Sequence, residues 1–381
     1  MKISLNHSTN EQSNLYLRAL YAKLRKEYGK CAWQFTPWKD GSKNTIHIGF
    51  IDNGAGDSLE VSIKYKKNGV INNLTIQGNV TQDIDDQIHN LAINLKTEEE
   101  LSEHIVCATI LTGLVPFSKI NGKNYTITEG ESNTSEIAIK INAFDQSDAI
   151  VEANKYLRNI CNLLSFFINS YVTIENIRFA KNLSPANISQ KYSGDLDWIE
   201  GHPIENNKLV LANYQQGLID NSLKDTIRSS YIKGCAHFNN AAHLFNSYHP
   251  NKAGDTATVL YVSALEACSE LFEAKTSSCG SCGQRMYSVR QRVLDLVAKH
   301  LPSNIVKFID EHYASRSKYL HAGQCSSSNS YFGTSIPQLD PNSTSGCIQQ
   351  ASPLPINLRD YISYILRQIG ADEELTTTQK T

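Results

Sequence analysis

The chain has 381 residues, a formal net charge of −2, 40% hydrophobic residues and 19% charged residues. That length allows two or three domains with cores of their own, and the balance of apolar to charged residues excludes a disordered or collagen-like chain. Near-neutral charge excludes a global field for nucleic acid, so any contact with RNA or DNA has to use a local basic patch.

The opening MKISLNHSTNEQ has one basic residue and no apolar run, so no export signal is expected and a cytoplasmic location is. Residues 11–29 place Leu17, Leu20, Tyr21 and Leu24 at helical spacing, with Gly29 positioned to stop the helix. NTIHIGFI and SLEVSIKYK then alternate apolar and polar residues on either side of the turn-rich DNGAGD, the pattern of a β-hairpin. NNLTIQGNV adds a strand, and DIDDQIHNLAINL reads as a helix with acidic residues at its N-terminal end. EHIVCATILTGLV, NYTITEG and SEIAIKINAF read as strands. A long helix follows from about Asp145, with Asp145 and Ser147 as candidate caps, and then the strand YVTIENIRFA. The most apolar run, Ile160–Val172, is too short and too interrupted by Asn and Ser to span a bilayer, so no membrane partner is expected.

The chain from residue 1 to 180 is therefore expected to form a mixed α+β domain, and residues 181–208, rich in Asn, Ser and Pro, a linker. From Leu209 onward the period is helical, and residues 209–381 are expected to form an all-α bundle. Its segments are 218–248, with a break expected near Gly234 if there are two helices, and 255–274, with Asp255 or Thr256 as cap. Three more follow at 288–301 from Ser288, 302–323 between Pro302 and Gly323, and 358–370 with Gly370 as its stop. Between the last two lies a serine-rich stretch, 324–353, long enough to be functional or disordered.

Two passages of the helical part carry a resemblance. YASRSKYLHAG has Arg316 and His321 in an Arg-x4-His spacing at a helix end, and YVSALEACSELF has Glu266 on an earlier helix. Over roughly residues 213–371 the chain resembles the HEPN superfamily, and specifically the ApeA-like HEPN domains of bacterial phage-defence proteins. The resemblance implies a metal-independent endoribonuclease in which a homodimer brings two Arg-x4-His pairs into one cleft. The RNA 2′-hydroxyl is then the nucleophile and a cyclic phosphate is left. It assigns the catalytic roles to Arg316 and His321, with Ser317, Lys318 and Glu266 in support, and it suggests RNA and a phage-derived trigger as partners. HAG lacks the tyrosine two residues after the histidine that marks HEPN toxins modified by a nucleotidyltransferase, which speaks against that kind of pairing.

The residue types suit this chemistry. An imidazole titrates near neutral pH and serves as acid or base. A guanidinium holds phosphate oxygens through a planar fork of donors. Their spacing does not suit a single helix face: residues five apart stand about 140° apart around the axis. Convergence needs the arginine to swing round, the last turn to tighten, or a second copy across a two-fold axis.

Nine cysteines without an export signal point to reduced thiols. Cys279 and Cys282, in SSCGSCGQR, have the spacing of a zinc half-site, which Cys325 and Cys347 would complete. The same spacing equally suits two free thiols in a loop. Catalysis is expected to need no cofactor. YAKLRKEYGK and YKKNG are small basic clusters with tyrosines that suit either RNA contacts or a solvated face. His237, His243 and His249 read as surface or satisfied interior histidines. No phosphate-binding loop, dinucleotide fingerprint, zinc-protease motif or nucleophile elbow occurs.

Overall fold

The computed structural model describes residues 2–5, 7–29, 31–32, 36–40, 43–52, 58–66, 68–79, 81–95, 97, 101–180, 199, 202–247, 250–272, 277–278, 285–286, 289–323 and 355–372. The fold is mixed α+β, with sheets toward the N-terminus and helices toward the C-terminus. By internal contacts the chain divides into two compact units. One comprises Met1–His104 with Ile141–Glu152, and the other Ile105–Lys140 with Ala153–Thr381. No helix among the described residues is long and apolar enough to cross a membrane.

The first unit holds β1 (Lys2–Ser4), α1 (Asn10–Tyr28), β2 (Cys31–Ala32), β3 (Thr36–Asp40), β4 (Lys43–Asp52), β5 (Ser58–Tyr65), β6 (Ile71–Gln77) and α2 (Gln82–Ile93). The strands form one sheet in the order β1-β6-β5-β4-β2, with β3 also on β4. Alternation sends Leu59, Val61 and Ile63 of β5, and Leu74 and Ile76 of β6, into the core. On β4 the apolar positions run Ile46, Ile48 and then Ile51, an odd step. A bulge between His47 and Gly49, with Gly49 at φ 143°, absorbs it so that Ile48 and Ile51 both face inward.

Helix α1 covers that face with Tyr16, Leu20 and Leu24, each worth about 1.5–3 kcal/mol of burial. Thr9 caps it, accepting from the Gln12 N–H at 3.1 Å, and Gly29 at φ 75° ends it as the sequence suggests. Its other face carries Arg18 and Arg25, which grip Asp148 and Asp145 in two-pronged ion pairs with bonds of 2.7–2.9 Å. Arg25 of the YAKLRKEYGK cluster is thus engaged in the fold.

The second unit begins with a sheet in the order β11-β7-β10-β9-β8, built from β7 (Ser102–Thr112), β8 (Ile120–Asn121), β9 (Tyr125–Glu129), β10 (Thr134–Ala143) and β11 (Val172–Phe179). Helix α3 (Gln146–Phe167) lies between β10 and β11 in the chain. Of its two candidate caps it is Asp145 that serves, accepting from the Asp148 N–H at 2.8 Å. Within the described part of the expected linker, β12 (Ile204–Glu205) and β13 (Lys208–Leu209) pair through Asn206 and Asn207, both at positive φ.

The helices that follow are α4 (Asn213–Ser222), α5 (Ser229–Ser247) and α6 (Pro250–Ser269). After β14 (Ser277–Ser278) and β15 (Arg285–Met286) come α7 (Val289–His300), α8 (Ser303–Ala322) and α9 (Pro355–Ala371). Three sequence expectations need correction. The break in the 218–248 segment falls between α4 and α5, not at Gly234. Gly234 lies inside α5, where a Cβ would stand 2.3 Å from Cys268 Sγ, so glycine permits close packing on α6. Helix α6 starts at Pro250, so Asp255 and Thr256 are interior residues and not caps. Gly370 lies within α9 against the Tyr231 hydroxyl and does not stop it.

Buried polar bonds tie these helices to the sheet side of their unit and to one another. The Asn239 amide of α5 both donates to Val172 O and accepts from Val172 N, at 2.9 and 3.0 Å, as a strand neighbour of β11 would. Ser363 of α9 donates to Phe166 O, and Tyr231 of α5 to Leu366 O, each at 2.8 Å.

Candidate active site on the helical unit

Helices α6 and α8 run past each other in opposite senses: Thr256 meets Tyr319, while Glu266 meets Tyr313 and Arg316. Tyr313 and Arg316, three apart on α8, share a helix face. Arg316 donates from Nη1 to Glu266 Oε1 at 2.9 Å and from Nη2 to Oε2 at 2.8 Å. The Tyr313 hydroxyl adds a third bond to Oε1 at 2.7 Å, and the guanidinium lies 5.6 Å from the centre of the Tyr313 ring. Arg316 and Glu266 are each about one-fifth exposed. Burial, and after it the bond to the Glu266 carboxylate, pushes the Tyr313 phenol up to about 12, which keeps it a donor at neutral pH. Two terminal N–H groups of Arg316 are thus spent on Glu266. Its Nε is buried and has no partner among the described residues.

The other expected site residues stand apart from this pair. His321 is exposed in the last turn of α8, Lys318 is exposed and Ser317 is half-buried. Gly323 ends the helix at φ 64°, its N–H reaching the Lys318 and Tyr319 carbonyls. The last turn therefore stays α-helical, and the tightening that would bring Arg316 and His321 onto one face does not occur. In a single chain, Arg316 faces α6 and His321 faces solvent.

The histidine that does lie by the pair is His237 of α5. It lines a cleft of about 410 Å³ with Lys233, Ser263, Glu266, Glu270 and Arg292. Burial lowers its pKa, and the Glu266 carboxylate works against that shift. Lys233 and His237, four apart, share a face of α5; their spacing was the only sequence signal, and nothing local linked it to Glu266 or to Arg292.

Cys279, Cys282, Cys325 and Cys347 lie outside the described residues, as does His249. Among the described residues no group of three or more His, Cys, Asp and Glu side chains is arranged to hold a metal ion. Cys107, Cys161, Cys235 and Cys268 are buried free thiols whose pKa burial raises, the environment of inert cysteines. Compared with protein-family models and with curated proteins, the sequence matches none.

Proposed function

We propose that the protein is an endoribonuclease of the HEPN type that cleaves RNA, tRNA among the candidate targets, in abortive infection against phage. The observation that carries this reading is the two-pronged bond between Glu266 and Arg316. It joins, across fifty residues of chain, the two passages on which the resemblance rests. In the reaction the RNA 2′-hydroxyl attacks the adjacent phosphorus and the P–O5′ bond breaks, leaving a 2′,3′-cyclic phosphate and a 5′-hydroxyl. His321 moves the proton, taking it from the 2′-hydroxyl or giving it to the departing O5′. The donors of Arg316 that Glu266 leaves free stabilise the charge developing on the phosphate oxygens. Ser317 and Lys318 assist at the rim, and the chemistry of the family it resembles needs no metal.

Because Arg316 and His321 diverge within one chain, the working cleft takes its groups from two chains, so the protein acts as a homodimer. Sedimentation that gives a monomer at micromolar concentration would undercut this cleft. The α+β region restrains the nuclease until a phage-derived trigger arrives. Cys279, Cys282, Cys325 and Cys347 are the candidate ligands of a structural zinc, an idea removed by elemental analysis finding zinc far below one equivalent per chain.

A second reading is favoured by the same ion pair. An arginine already matched by Glu266 suits a non-catalytic HEPN module that dimerises or binds a nucleotide. Expression of the wild type and of His321→Ala, with and without phage, separates the two. The nuclease reading expects RNA fragmentation and growth arrest in the wild type alone; identical RNA and identical growth overturn it.

A further inference from the structure

The cleft between α5, α6 and α7 has no role in the chemistry assigned to Arg316 and His321, yet charged and polar side chains dominate its lining. Lys233 and His237 reach it from α5 and Arg292 from α7, opposite Ser263, Glu266 and Glu270 of α6. Neither Lys233 nor Arg292 has an ion-pair partner among the described residues. The two carboxylates are differently placed. Glu266 is matched by Arg316, whereas Glu270 accepts from the Ser230 hydroxyl at 3.0 Å and has no ion-pair partner among the described residues. Among the described residues, two cations without an ion-pair partner therefore face one such carboxylate, and the cleft carries a local positive excess on a chain whose net charge is −2.

We propose that this cleft binds a phosphate group, with Lys233 and Arg292 as its cationic holders and His237 as a hydrogen-bonding partner. Arginine and lysine bind phosphate in complementary ways, the one by a fork and the other as a point charge. Val289 at the rim marks the first turn of α7, so the positive end of that helix adds to the same field. The space of about 410 Å³ exceeds what a phosphate alone fills and suits a nucleotide unit.

Glu266 is a wall of this cleft and the partner of Arg316, so an RNA strand with one phosphate here lies alongside the proposed cleavage site. That assignment of the ligand to RNA rests on the nuclease reading. The phosphate chemistry does not, and a free nucleotide would satisfy it too.

The test uses the full chain and the double variant Lys233→Ala/Arg292→Ala, with thermal unfolding to establish that the variant is folded. The probes are a short fluorescent 2′-O-methyl oligoribonucleotide, which lacks the attacking hydroxyl, and, separately, ATP and inorganic phosphate. The expected result is oligonucleotide binding weakened roughly tenfold or more in the variant. The slope of log affinity against log salt should also become shallower by about 0.7 for each phosphate that the variant no longer neutralises. Weakened binding of ATP or inorganic phosphate with an unchanged oligonucleotide would assign the phosphate to a free nucleotide. A wild type that binds none of these probes, or a variant that binds all of them as the wild type does, overturns the proposal. Since the probe cannot be cleaved and His321 is untouched, failure of the nuclease reading leaves this measurement standing.

Discussion

Arg316 of α8 and Glu266 of α6 meet end-on, guanidinium to carboxylate, at 2.9 and 2.8 Å. The pair is intermediate in burial, so its weight should lie between an exposed pair and a buried one. A double-mutant cycle on Glu266→Ala and Arg316→Ala, read by urea unfolding, is expected to give a coupling of about 1–3 kcal/mol. Glu266→Ala alone should cost more than Tyr313→Phe, because it strands both the guanidinium and the phenol. Strictly additive single variants would mean that solvent screens the pair.

The two glycines Gly234 and Gly217 both sit inside helices and should respond oppositely to alanine. At Gly234 a Cβ meets Cys268 Sγ at 2.3 Å and the Ala264 carbonyl at 3.0 Å, whereas at Gly217 nothing lies within 4 Å. Gly234→Ala is expected to destabilise by about 1–3 kcal/mol through overpacking. Gly217→Ala should stabilise by roughly 0.5–1 kcal/mol through helix propensity and a smaller unfolded ensemble. Adding Cys268→Ala should recover part of the loss at Gly234 but not all, since the Ala264 carbonyl stays. Equal melting temperatures for the two glycine variants would contradict this difference in packing.

These glycines also show where the sequence was legible. Helices α1 and α8 could be read because apolar period and punctuation coincide: Gly29 and Gly323 take positive φ at the ends where the period stops. Gly234 and Gly370 look the same in the sequence but serve close approach of neighbouring helices, a tertiary cause that no local pattern carries. The N-terminal turns of α6 escape a sequence reading because Pro250–Gly254 has no apolar repeat, and the Asn206–Asn207 turn because it lies in an Asn-rich stretch. In the site, Glu266 and Arg316 stand out through their motifs. Tyr313, Lys233, His237 and Arg292 join them only through packing across α5, α6, α7 and α8.

Stability should fall on mild acidification because of His312. Only 8% exposed and 4.5 Å from the Phe308 ring, it is held below its usual pKa of 6.5 chiefly by burial, with Glu311 opposing. Below pH 6.5 the unfolded chain takes up a proton before the folded one does. Stability is therefore full above that pH and falls as pH drops toward the lower folded-state value, by at most about 1.4 kcal/mol per pH unit for one group. His312→Gln should flatten this slope without removing it, since burial lowers His237 and His300 as well. A wild-type slope that is flat from pH 7 to pH 5, on the order of two units, would refute the buried neutral imidazole.

His321 offers the sharpest separation of chemistry from folding. It is exposed beyond the face of α8 that packs on α6, and Gly323, not the imidazole, closes the helix. His321→Ala should therefore change unfolding free energy by less than about 0.5 kcal/mol. If the imidazole moves the proton of RNA cleavage, the same variant should lose about 10²-fold or more of that activity. Arg316→Lys should behave differently, losing activity and stability together, because an ammonium cannot reproduce the end-on fork to Glu266. The pattern that would refute these roles is a His321→Ala protein that cuts RNA at the wild-type rate, or one that loses activity only in step with its folded fraction. In either case the histidine would be doing no more than a cationic residue does near any helix C-terminus, where exposed carbonyls favour it.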